Sequence, residues 1–201
     1  DRDMIADLLP DNSNRRTSQK KRKITVVMGN PPYSIGQGLE NDDAANMKYA
    51  NLDSKIESTY SKNSNARMKK GLYDNYIRAF RWATERIEEE GIIAYITNGG
   101  WLNALGMDGF RKTLSDEFSS IYTINLRGNK RTLGEAAKKE GGPVFSQGSR
   151  ATIAITFLVK KKSINEKSKI YYYNIGDYLT TKQKLNKLRN FISIDYLIKK
   201  K

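Results

Sequence analysis

Apolar positions recur along this chain in two rhythms. Ile24-Thr25-Val26-Val27-Met28 is a short apolar run stopped by Gly29 and by Pro31-Pro32. A continuous run of that length, closed by turn residues, predicts a buried strand with a hard stop. From Leu72 the spacing changes. Tyr73, Tyr76, Ile77, Phe80, Ala83 and Ile87 recur every three or four residues, and Glu88-Glu89-Glu90-Gly91 follows. That spacing predicts an amphipathic helix of about four or five turns. Ile92–Thr97 predicts a second buried strand, and Phe110, Leu114 and Phe118 a helix over 108–118. Ile121–Leu126 predicts a third strand and Ala151–Val159 a fourth, with a fifth over 169–175 and a Lys-rich helix near 180–191. Residues 1–23 show no hydrophobic period and read as a basic linker or arm. Residues 34–70 are polar with only weak helical hints and read as a long loop.

Strand, helix, strand, helix, strand predicts an α/β layer architecture with a mostly parallel sheet. No helix is expected between the third and fourth strands, so the fourth is expected to pair antiparallel. In such sheets the working residues gather at the carboxyl ends of the strands. Here those ends are Asn30–Tyr33, Asn98–Trp101 and Arg127 onward.

Composition narrows the chemistry. The 201 residues contain no His and no Cys, which removes serine-triad, papain-like, thiolate and imidazole–zinc sites together, and no metal site is expected. No stretch is long and apolar enough for a membrane span, and a cytoplasmic location is expected. The formal net charge is +14, and its distribution is uneven. Residues 127–150 carry six basic and two acidic side chains, and residues 158–201 twelve and three, whereas the segment between the arm and the loop is slightly acidic. Basic ends and a basic internal loop point to a polyanion partner, with nucleic acid first. Arg127, Lys130, Arg131, Lys138, Lys139 and Arg150 are the candidate phosphate contacts.

Asn30-Pro31-Pro32-Tyr33 is the most informative stretch. Two successive prolines make a rigid turn with free carbonyls, and the Asn30 side chain adds an amide oxygen. Together they offer two acceptors in fixed geometry to an –NH₂ group, with the Tyr33 ring as a flat face beside it. An exocyclic amine on a planar base fits. Its lone pair is delocalised into the ring, and acceptors placed out of the ring plane favour a pyramidal nitrogen that can attack.

Asn-Pro-Pro-Tyr after a hydrophobic strand resembles the catalytic signature of S-adenosylmethionine-dependent amino-methyltransferases, including N6-adenine DNA methyltransferases. The order that follows is similar to that of the gamma-type adenine enzymes. An aromatic-rich helix (Tyr73 to Ile87) leads to a Gly-apolar strand (Gly91 to Thr97), an aromatic-Leu pair (Trp101-Leu102) and a Val-Phe pair (Val144-Phe145) before another apolar strand. Leu72-Tyr73-Asp74, Asn98-Gly99-Gly100-Trp101, Asn125-Leu126-Arg127-Gly128-Asn129 and Gly176-Asp177-Tyr178-Leu179 look like the methyltransferase region of large single-polypeptide restriction–modification enzymes. The resemblance implies a Rossmann-like class I methyltransferase sheet that transfers a methyl group to the N6 of an adenine flipped out of double-stranded DNA. It implies that Asn30 and the Pro31 carbonyl hold the amine, that Pro32 fixes the backbone, and that Tyr33 and Phe145 sandwich the base. Asn30, Tyr76 and Phe80 are the candidate cofactor contacts.

The family's glycine-rich cofactor turn and ribose-binding acid should precede Asn30, and the 29 residues upstream supply neither. The expectation is therefore an arm (1–23), the carboxyl half of a catalytic domain (24–162), and a Lys-rich connection toward a target-recognition region (163–201). Such a fragment is expected to be inactive alone and to need the rest of a longer polypeptide. Two alternatives remain open on sequence. One is methylation of RNA or of a protein glutamine amide; the other is a fragment that binds DNA without catalysing anything.

Overall fold

The computed structural model describes residues 10–32, 49–145, 150–162 and 167–199. Strands β1 (Val26–Gly29), β2 (Gly91–Asn98), β3 (Ser120–Arg127), β4 (Ile153–Lys160) and β5 (Lys169–Asn174) form one sheet in the order β1-β2-β4-β3-β5. β1 is parallel to β2 and β5 is parallel to β3, while β4 runs antiparallel between β2 and β3. The sheet is thus mostly parallel with one reversed strand, as the pattern predicted. β4 is reversed because the chain comes back beside β3 without a crossover that would carry it to the sheet's other end.

Helices α1 (Pro10–Lys21), α2 (Ala50–Ile56), α3 (Asn75–Arg86), α4 (Asp108–Glu117), α5 (Gly134–Glu140), α6 (Thr181–Arg189) and α7 (Asp195–Lys199) complete the described fold. One sheet face, carrying Ile93, Tyr95, Ile121 and Leu158, packs on α3 through Ile77, Phe80 and Ala83 and on α4 through Phe110 and Leu114. Its rings meet edge to face, Phe80 with Tyr95 at 5.1 Å and Trp101 with Phe110 at 5.4 Å, the arrangement that aromatic quadrupoles favour. Asp74 starts α3 by accepting a hydrogen bond from the Tyr76 N–H.

The second face is covered unevenly. Near β3 and β5, Ile124, Leu126 and Ile153 lie under Leu188, Phe191 and Leu197. Near β1 it is bare. Val26 is 55% exposed and Met28 78%, and Ile92, paired with Val26, is 39% exposed. The expectation of a buried first strand is therefore corrected. Among the described residues β1 is an edge strand paired with β2 alone, and of its side chains only Val27 packs against the core.

Three further expectations change. The arm is helical over Pro10–Lys21, with Asp11 in its first turn and Lys20 and Lys21 in its last. Those charges suit the helix dipole, but a helix polar all round shows no period. Within 34–70, residues 34–48 lie outside the described part, and α2 runs into a wide turn over Glu57–Ser61 that buries Ile56 and Tyr60. The basic loop 127–150 contains α5, which buries no side chain and so leaves no apolar stripe to read.

Candidate functional site

One edge of the sheet collects the candidate chemistry. β1, β2, β3 and β5 point the same way, so Asn30, Gly99–Leu102, Arg127 and Ile175 leave the sheet along one side, where β4 enters at Ile153. Asn30 and Pro32 are exposed and Pro31 is half-buried at the end of β1. Tyr33 lies outside the described residues. Beside them, Asn98 Oδ1 accepts from the Gly100 N–H at 2.8 Å, and Gly99 N–H donates to the Thr152 carbonyl at 2.7 Å. A Cβ on Gly99 would stand 2.8 Å from the Thr152 methyl, so glycine lets the exit of β2 and the entry of β4 approach closely.

The loop after β3 begins with a sharp turn. Arg127 has φ +55° and Gly128 φ +90°, and the β3–β4 register shifts between Asn125 and Arg127. A left-handed residue other than glycine costs on the order of 1–2 kcal/mol and persists where its surroundings over-determine it. Here they do. The Arg127 guanidinium reaches Asp177 at 2.6 Å, Asn174 Oδ1 at 3.1 Å and Glu140 at 3.4 Å, and Asn125 Oδ1 accepts from the Arg127 N–H at 2.9 Å. Arg127, a candidate phosphate contact by sequence, is committed to partners within the chain. Lys130, Arg131, Lys138, Lys139 and Arg150 remain exposed.

Farther along, the loop is tied to the chain that leads into α6. Gly142 N–H donates to the Leu179 carbonyl at 2.9 Å, and Tyr178 N–H to the Lys139 carbonyl at 3.1 Å. The Thr181 hydroxyl donates to the Pro143 carbonyl at 2.6 Å. Lys184, fully buried, donates from Nζ to the carbonyls of Glu140 and Gly142, both at 2.7 Å. Burial lowers its pKa to about 8, against the opposing pull of Glu140. Phe145, just beyond, is half-buried against the second-face cluster.

Tyr76 and Phe80 lie inward of this edge, with the Phe80 ring 6.4 Å from that of Trp101. They are 2% and 0% exposed in the core under α3, and burial pushes the Tyr76 hydroxyl pKa up. Both are therefore part of the packed core cluster in this structure. Sequence reasoning missed Glu140, Asp177 and Lys184. Thr180 and Gln183 form a reciprocal capping box at the start of α6, a signal visible in the sequence. It would have fixed the phase of α6 and set Lys184 on the same face as Leu188.

The comparisons with known proteins fit this geometry. Residues 7–132 match the family model described as Eco57I restriction-modification methylase. Among solved structures, a nuclease-deletion mutant of the Type ISP restriction-modification enzyme LlaGI, in complex with a DNA substrate mimic, is 44% identical. Its TM-score is 0.86, over 92% of this chain and 18% of that one. The ATP-dependent Type ISP enzyme LlaBIII bound to DNA is 37% identical, with TM-score 0.87 over 94% of this chain and 12% of that one. A DrdV–DNA complex is 37% identical, with TM-score 0.81 over 89% and 17%. No curated protein matches. The chain spans less than a fifth of the length of these three structures. It belongs to the Eco57I restriction-modification methylase family.

Proposed function

We propose that this chain forms the amine-activating side of a DNA methyltransferase that modifies the exocyclic N6 of an adenine flipped out of duplex DNA. The observation that carries the reading is Asn30-Pro31-Pro32, exposed at the end of β1 on the same sheet edge as the basic loop, in a restriction-modification methylase. Asn30 Oδ1 and the Pro31 carbonyl accept the two amine hydrogens, and the nitrogen lone pair is drawn out of conjugation as it attacks. Tyr33 and Phe145 stack on the two faces of the base. Extrusion costs a few kcal/mol, and stacking returns about 1–3 kcal/mol per base, so aromatic walls are enough to hold it. Lys130, Arg131, Lys138, Lys139 and Arg150 contact phosphates, while Arg127 holds the loop that carries them.

The residues present meet only part of what S-adenosylmethionine requires. Asn30 is exposed at the edge, while Tyr76 and Phe80 are enclosed in the core. When bound, the cofactor supplies an electrophilic methyl group; this chain's own part is to hold and orient the amine that attacks. The bare face around Val26 and Met28 supports a carboxyl half-domain completed by a cofactor-binding half. A target-recognition region of the same polypeptide would follow. The isolated chain is then inactive.

The test is Asn30→Ala in the full-length enzyme. An aligned hydrogen bond made in a preorganised site is worth about 2.7–4 kcal/mol, or roughly 10²–10³ in rate. The methylation rate should fall by that factor with little change in DNA affinity. Unchanged turnover with weakened DNA binding would remove Asn30 from the chemistry.

A further inference from the structure

We propose that Lys184 is a positioning residue for the base-binding loop, with its buried ammonium setting where Phe145 stands. The inference rests on the reading of Phe145 as a wall of the base pocket and deepens it. Three observations carry it. Lys184 lies on a Lys-rich helix whose other lysines, Lys182 and Lys187, are exposed (Lys187 also donates to the Ile175 carbonyl at 3.0 Å), yet Lys184 is fully buried. Both of its hydrogen bonds go to backbone carbonyls of the turn at 140–142 and none to a carboxylate, so it organises main chain, with Glu140 acting on it through charge alone. The same turn receives Thr181 at Pro143 and is held at Gly142 by Leu179, which leaves Val144 and Phe145 as the first residues beyond the tie.

Burying a lysine is costly unless its hydrogen bonds are satisfied; here both go to the turn, whose carbonyls would lose that donor if the side chain were apolar. Gly141, with φ +67°, has no room for a Cβ, which would stand 2.2 Å from the Leu179 carbonyl oxygen. The turn therefore lies directly against the 179–184 segment, and the tie has little slack. Phe145 shares its cluster with Leu179, Leu188 and Phe191, so the segment that holds the turn also seats the ring. Through this tie the start of the C-terminal segment governs the pocket wall: displacing α6 displaces Phe145.

The experiment compares full-length wild type with Lys184→Met and Thr181→Val. It reads single-turnover methyl transfer, the emission of 2-aminopurine at the target adenine, and the thermal melt. A misplacement of about 1 Å in a preorganised site can cost 10²-fold. Lys184→Met should lower single-turnover transfer at least tenfold and reduce the 2-aminopurine signal at saturating DNA, while DNA affinity changes less than threefold. Thr181→Val should move both readouts the same way by a smaller factor, and it keeps the proposal testable if Lys184→Met does not fold. A lower melting temperature with unchanged transfer and emission in both variants would overturn it, because Lys184 would then serve stability alone. Wild-type enzyme that transfers no methyl group to adenine would instead overturn the functional reading on which the inference rests.

Discussion

The two ends of the sheet are built on opposite terms. At the β3–β5 end the chain closes on itself: Arg127 has three side-chain partners, the loop is tied to α6, and both faces of the strands are covered at least in part. At the β1 end the strand stops at an exposed Asn30 and leaves Val26 and Met28 bare. β5 is equally an edge strand and exposes Ile170 and Tyr172, so the difference lies in how the loops are tied and not in strand pairing. On the proposed function, the closed end positions and the open end reacts. If the site is built jointly with another part of the polypeptide, as proposed, the apolar strip beside the exposed acceptors is the side of it that this chain supplies.

The largest test of that contrast compares the isolated 201 residues with the full-length enzyme. The isolated chain should show no measurable methyl transfer and little binding of S-adenosylmethionine by calorimetry, while the full-length protein turns over. Robust turnover by the isolated chain would place a complete site at the β1 end.

Next comes the pocket wall. In the full-length enzyme Phe145→Ala and Tyr33→Ala should each destabilise the flipped state by about 1–3 kcal/mol, read as loss of 2-aminopurine emission. Tyr33→Phe should be nearly silent, because the ring does the stacking. If Phe145→Ala lowers only the melting temperature, the residue belongs wholly to the closed end.

A comparable effect in free energy, spread over pH, isolates Lys184. Its pKa of about 8 in the folded protein lies below the ordinary 10.5, so the folded state sheds the proton first. The unfolded chain binds more protons between those values, and stability should rise with pH from about 8 to 10.5 and be lost as pH falls back through 8. The linked change is on the order of 1–3 kcal/mol. Glu140 and Arg127 face the same ammonium and act on it in opposite senses. Urea midpoints of wild type and Lys184→Met across that range should diverge; parallel curves would mean that the ammonium is not the titrating group.

The smallest effect separates cations that touch DNA from one that does not. Each of Lys130→Ala and Arg131→Ala should reduce the salt slope of duplex binding by about 0.9. Arg127→Ala should leave the slope unchanged while making the loop easier to cleave by protease. An equal slope change for Arg127 would put its guanidinium on phosphate.

Much of this was legible in the chain. Dense apolar spacing marked α3, α4 and all five strands, and Asn30-Pro31-Pro32 stood out by its chemistry. What escaped reading did so for physical reasons. α1 is polar all round, α5 buries nothing, and α2 buries Ile56 ahead of a wide turn that buries Tyr60, so none shows a period. The exposure of β1 depends on which strands flank it, and an apolar run carries no record of its neighbours. Arg127 looks like any exposed cation in sequence. Its partners Glu140, Asn174 and Asp177 are brought to it by topology alone.

The central claim is that Asn30 and the Pro31 carbonyl act on the amine of an adenine. Nucleoside analysis of duplex DNA methylated by the full-length enzyme with labelled S-adenosylmethionine tests it most directly, run side by side with Asn30→Ala. Label is expected in N6-methyladenine, reduced roughly 10²–10³-fold in initial rate by the substitution. Label in a methylated cytosine, in RNA or in protein, or N6-methyladenine formed at the same rate without the Asn30 amide, would contradict it.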